Sequence, residues 1–190
     1  VNADTSESGK STVTVGEGAN VDLTVKDSTL TTGGNGIDIG KDLDGTDENK
    51  DTKVDLTLKD TTINQTNKNS AGLDVRQGSD VDLTLKGDNV IDGSQATGDK
   101  NVSDNTNVEG IRVGGENAGD DSSGEGASLT IKGDETSDQG SLNIDHTSTG
   151  MVISNDSDVT LTDNADVDIK HTEAGSSTQG GRGIVQRGDL

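Results

Sequence analysis

The chain has no phenylalanine, tyrosine or tryptophan, no proline and no cysteine. Each absence excludes something. Aromatic rings bury the most area per side chain, so a conventional globular core of this size lacks its usual filler, and no ring is available to stack on a sugar. Without cysteine there is no disulfide framework to report a redox compartment. The lack of proline suits strands paired on both sides, which need every backbone N–H. Apolar residues make up only 25% of the chain, and no run approaches a membrane span. Cations are scarce as well: 15 Lys and Arg face 36 Asp and Glu, a formal net charge of −21. That balance argues against nucleic acid, whose recognition needs clustered Lys and Arg. It also repels anionic lipid surfaces. By composition alone the chain matches those that bury too little apolar surface to offset their ordering entropy.

The pattern of the few apolar residues points the other way. A glycine opens the same phrase five times: Gly36-Ile37-Asp38-Ile39, Gly72-Leu73-Asp74-Val75, Gly110-Ile111-Arg112-Val113, Gly150-Met151-Val152-Ile153 and Gly183-Ile184-Val185-Gln186. The openings recur at roughly 33 to 40 residues, an interval typical of stacked repeats. A second phrase alternates with the first, Val21-Asp22-Leu23-Thr24-Val25-Lys26, then Val54 to Lys59 and Val81 to Lys86. It returns degraded as Ala127 to Lys132 and Ser157 to Thr162.

Within the unit opened by Gly36, Ile37 and Ile39 point one way and Asp38 the other, the period of a half-buried strand. Val54, Leu56 and Leu58 then face inward, a bend follows at Asp60, and Thr62-Ile63-Asn64 forms a short third strand. Three short strands per coil describe a triangular solenoid of parallel sheets, about five to six coils long and without significant α-helix. Helical spacing fits nowhere. The glycine opening each coil is expected at a corner, in a backbone conformation closed to other residues. A thin aliphatic core suffices for such a stack, because each coil buries its inward side chains against its neighbours. Val13-Thr14-Val15 already reads as a coil strand, so residues 1–190 are expected to be a single segment of a longer rod. Insertions are expected at 40–52, 92–109 and 114–126.

These phrases resemble the passenger regions of bacterial autotransporters, the pertactin-like and self-associating adhesin types. The resemblance runs from about Val13 to Ile184 and rests on inward aliphatics and glycines, which are architectural. It implies a right-handed parallel β-helix and a secreted or surface-exposed adhesive rod. The aromatic-rich translocating barrel of that family has no counterpart in these residues.

Outward columns supply the candidate sites. Asp22, Asp55 and Asp82, joined by Asp158, are expected to stack on one face, with Thr24, Thr57, Thr84, Thr130 and Thr160 beside them. Lys26, Lys59, Lys86 and Lys132 make a third column. This face is the expected partner-binding surface. Asp42, Asp44 and Asp47 in the first insertion are a candidate calcium site, although the stretch departs from the EF-hand loop: Gly40 stands where its first Asp belongs and no Glu occupies the twelfth position. Arg112 shares a column with Asp38 and Asp74, where an anionic sugar could be held through calcium. His146 and His171 occupy matching phrases, a repeat equivalence more than a zinc pair. Arg187-Gly188-Asp189 spells an integrin-recognition tripeptide. No carboxylate pair or Ser/His/Asp set stands out by its environment, so no catalytic residue is assigned.

The resulting expectation is a non-catalytic, extracellular stalk or adhesin segment mediating surface attachment or self-association, with no required cofactor and calcium as the one candidate ion. Its partners would be a host or neighbouring-cell protein or glycan, or another copy, with no nucleic acid and no membrane insertion. Alternatives are a calcium-dependent carbohydrate-binding β-helix and a self-assembling extracellular filament subunit.

Overall fold

The computed structural model describes residues 2–5, 7, 9–41, 51–97, 107–115, 126–134, 140–154, 156–162, 164–170 and 181–186. Among these residues the chain is all-β, with fifteen strands and one four-residue helix, α1 (Ser94–Thr97). β-Branched and aliphatic residues alternating with polar ones suit a pleated, half-buried surface, and they are where the strands fall.

Six strands form one sheet in chain order: β2 (Val13–Gly16), β4 (Ile37–Lys41), β6 (Ser70–Val75), β9 (Val108–Val113), β12 (Thr149–Ile153) and β15 (Arg182–Gln186). The remaining nine belong to a second sheet: β1 (Asn2–Thr5), β3 (Asn20–Thr32), β5 (Thr52–Gln65), β7 (Ser79–Lys86), β8 (Asp88–Asp92), β10 (Ser128–Gly133), β11 (Ser141–Asp145), β13 (Asp158–Thr162) and β14 (Asp166–Ile169). Two of them, β3 and β5, are long and serve two lines of pairing. Their first halves lead into β7, β10 and β13, and their second halves lie in line with β1, β8, β11 and β14. Every pairing is parallel, and each strand pairs with its counterpart one repeat along. The all-β class read from the sequence is what the described residues show.

The expected bend at Asp60 is present. Asp27 (φ 47°), Asp60 (φ 48°) and Gly87 (φ 59°) occupy it in successive repeats, all left-handed. Asp is among the few residues that visit this region, and here Asp60 Oδ1 accepts from the Asp88 N–H of the next repeat at 3.2 Å. Just inside the bend, Thr61 and Asn89 are buried and bind backbone. Thr61 donates to the Val25 carbonyl at 3.1 Å, its N–H reaches Asn89 Oδ1 at 3.1 Å, and Asn89 Nδ2 donates to the carbonyls of Lys86 and Ser141, each at 3.1 Å. The turn itself is at the surface, and the buried polar groups that flank it are kept paired.

The core consists of aliphatic columns running across the repeats. Leu23, Leu56, Leu83, Ile131 and Leu161 share one register line, and Ile37, Leu73, Ile111, Met151 and Ile184 share another. Middle members are sealed, whereas Leu161 and Ile184 in the last described repeat are 53% and 60% exposed. Full burial of one such side chain is worth roughly 1.5–3 kcal/mol, so stability resides in the middle repeats.

The repeat-opening glycines correct an expectation. Gly36, Gly72, Gly110 and Gly150 are not among the glycines with positive φ. They are required by contact. A Cβ on Gly36, Gly72, Gly110 or Gly150 would lie closer than 3.0 Å to Cγ2 of Ile63, Ile91, Ile144 or Ile169 respectively, and to the carbonyl oxygen of the next glycine in the series. The glycine column is the groove that accepts the isoleucine column, a use of glycine for close backbone approach.

Candidate functional site

Two faces carry the functional candidates. On the nine-stranded sheet, Asp22, Asp55 and Asp82 are register partners, as are Thr24, Thr57 and Thr84, and Lys26, Lys59 and Lys86. The three aspartates are exposed. Adjacent strands lie about 4.8 Å apart, where neighbouring carboxylates repel by about 1 kcal/mol in water. The expected rows therefore exist across three repeats.

In the fourth repeat they shift. Thr130 pairs with Asp82 and not with Thr84, Lys132 pairs with Thr84, and Asp158 pairs with Ser128, itself opposite Asp80. Thr130 and Thr160 thus extend the aspartate row, and Lys132 the threonine row. A slip of one residue would turn the apolar set outward, but a slip of two leaves it inward, so alternation alone could not fix this register. In this register the Ser128 hydroxyl donates to Asp80 Oδ1 across the shifted pair. Beside the lysine row, Asp134 lies 3.4 Å from Lys86 Nζ. At the opposite end of these strands, where β5, β7, β10 and β13 begin, an open groove of about 350 Å³ has Asp51, Lys53, Asp80, Asp156 and Asp158 as its charged lining.

On the six-stranded sheet, strand alternation predicts Asp38, Asp74 and Arg112 turned to solvent. They are register neighbours, yet all three are buried, together with Glu109. Strands β6 and β9 are buried at every residue. Their charges pair with one another. Arg76 grips Asp38 with two donors, Nε to Oδ1 at 2.6 Å and Nη2 to Oδ2 at 3.2 Å, and its Nη2 lies 3.7 Å from Asp74 Oδ2. Arg112 donates through Nε to Glu109 Oε2 at 2.6 Å and through Nη1 to Asp74 Oδ2 at 3.2 Å. Asn35 Nδ2 donates to the same Asp74 oxygen at 2.6 Å, while its Oδ1 accepts from the Ala71 N–H at 2.9 Å. Ser11 bonds to Asp38 at 3.0 Å.

Burial pushes the Asp74 carboxyl up to about 6. The guanidiniums of Arg112 and Arg76 oppose this, and the Asp38 and Glu109 charges add to it. For Arg112, burial pulls its pKa down, but Asp74 and Glu109 more than offset that and hold it above its ordinary value. Asn35 and Glu109 were not singled out from sequence. The available signal was the alternation of sign along one column, Asp38, Asp74, Arg112, which places a cation where the repeat otherwise keeps an anion.

Asp42, Asp44 and Asp47 lie outside the described residues, as do His171 and the tripeptide from Arg187 to Asp189. Among the described residues no group of three His, Cys, Asp or Glu is placed to hold a metal ion. In the Arg112 column the guanidiniums of Arg76 and Arg112 are engaged with Asp38, Asp74 and Glu109. His146 Nδ1 sits 3.2 Å from Asp145 Oδ1 and 3.5 Å from Asp92 Oδ1. No family model, curated protein or solved structure matched the chain.

Proposed function

We propose that the chain is a non-catalytic, extracellular stalk or adhesin segment built as a right-handed parallel β-helix with three strands per coil, acting through the outer face of its nine-stranded sheet. The observation that carries this reading is the in-register set of rows Asp22/Asp55/Asp82, Thr24/Thr57/Thr84 and Lys26/Lys59/Lys86. A rigid parallel frame holds these rows at one pitch, and the sequence gives them opposite charges on either side of a neutral centre line.

That pattern is self-complementary. A two-fold axis along the threonine row lays the aspartate row of one copy over the lysine row of another, with the same spacing along both. Exposed ion pairs contribute only about 0.2–1 kcal/mol each, and a patch of three repeats is well below a standard interface. Such contacts are weak singly and add up where many are presented together. This suits a surface-displayed rod better than a stable soluble dimer.

Beads coated with the full chain test the reading. Clustering of beads, or their attachment to cells, at low salt is expected. Asp22→Asn, Asp55→Asn and Asp82→Asn together should weaken it at least tenfold, because every pair between an aspartate row and a lysine row is removed. Unchanged attachment overturns the assignment of this face. Tight glycan binding abolished by a chelator establishes the carbohydrate-binding alternative instead, and turnover of a pectin-like polymer overturns both.

A further inference from the structure

Asp74 is the one carboxylate of the buried network whose charge is not fully matched. Its side chain is completely enclosed. Oδ2 receives Asn35 and Arg112, but Oδ1, buried as deeply, accepts no hydrogen bond from any described residue. The groups around it are known from each element packed against it. The β4 strand contributes Asp38 and Lys41, whose Nζ lies 3.8 Å from Asp38 Oδ2. Arg76 follows β6 itself, β9 contributes Glu109 and Arg112, and the segment before β4 contributes the neutral Asn35. Three carboxylates thus share two guanidiniums at the sheet centre, with one lysine at the rim. A buried, incompletely paired charge is costly. A proton relieves it and goes to the oxygen that no donor occupies.

We propose that the Asp38–Asp74–Arg112 column is a proton-dependent lock on the six-stranded sheet, which takes up one proton at Asp74 Oδ1 on mild acidification and is tighter in that state. The raised affinity of Asp74 for its proton, with a midpoint at about 6 against 3.8 for an ordinary aspartate, agrees with this geometry. The sign follows from linkage. A folded-state pKa above the unfolded one means that the native chain binds more protons between the two values. The stabilisation is therefore complete below about 3.8 and is lost as pH rises through about 6.

Unfolding of the full chain and of Asp74→Asn, compared from pH 4 to 7.5, tests the lock, because acids that do not interact with Asp74 cancel in the difference. Relative to Asp74→Asn, the unmodified chain should lose on the order of a hundredfold in its folding equilibrium constant across that range, with no further change above about pH 7. Parallel pH profiles for the two chains overturn the proposal. Should Asp74→Asn fail to fold, the carboxyl carbon of Asp74 in the unmodified chain decides by NMR. Titration near pH 6 supports the lock, and a midpoint of 4 or lower, or no titration between pH 4 and 7.5, sinks it.

Discussion

Gly110 illustrates how much a single missing Cβ controls. Its Cα faces Ile144 of the third strand line and the carbonyl of Gly150 in the next repeat. An added methyl must displace backbone as well as a side chain, and overpacking of this kind costs about 1–3 kcal/mol. Gly110→Ala is therefore expected to lower denaturant stability by that amount. Gly183, which opens the last phrase and has nothing within 4 Å of a built Cβ, should accept alanine with little change. Equal losses at both positions would mean that backbone freedom, and not contact, is what the glycines supply. Asp74 belongs to the same scale. Its strand pattern is that of a solvent-facing residue, and only its neighbours make it a buried acid.

At the scale of the element, register is the quantity that alternation leaves open. The second phrase of the fourth repeat looks like a copy of Val81 to Lys86 starting at Ala127, yet it pairs two residues out of that alignment. The absence of cysteine makes this directly testable. In the observed register, Asp82→Cys with Thr130→Cys brings two cysteines opposite each other on adjacent strands, within the Cα separation a disulfide tolerates. Thr84→Cys with Thr130→Cys places them on a diagonal of about 7–8 Å. Mild oxidation of the folded chain should cross-link the first pair and spare the second, as read by migration on a non-reducing gel. The opposite result would restore the simple repeat alignment. The bends tell a complementary story: two aspartates and a glycine, Asp27, Asp60 and Gly87, share the left-handed conformation. A corner read from Asp60 alone was correct because local chemistry fixes it.

For the whole molecule, the dominant feature is charge. With a formal net charge of −21, the folded chain repels itself, and its exposed aspartate row concentrates that repulsion. Raising sodium chloride from 10 to 150 mM shortens the screening length from about 30 to about 8 Å. The melting temperature is expected to rise, each kcal/mol relieved being worth about 2–4 °C for a chain of this size. The same salt should weaken bead clustering, since contacts between opposite rows are screened too. Calcium chloride at matched ionic strength separates screening from binding. A further rise that a chelator reverses marks a held ion, and coincident curves assign the whole effect to screening.

Much of the architecture is legible in the sequence. The strand-forming phrases and the inward set from Val54 to Leu58 follow from alternation of branched aliphatics, a signal carried by residues two apart. The first three repeats of the aspartate, threonine and lysine rows follow too, because their phrases are nearly identical. Only the tertiary structure decided the two-residue shift at Thr130, the contact role of the glycines and the burial of Asp38, Asp74, Glu109 and Arg112. Each depends on what approaches from a strand tens of residues away, and a period of two is blind both to even shifts and to what covers the outer face.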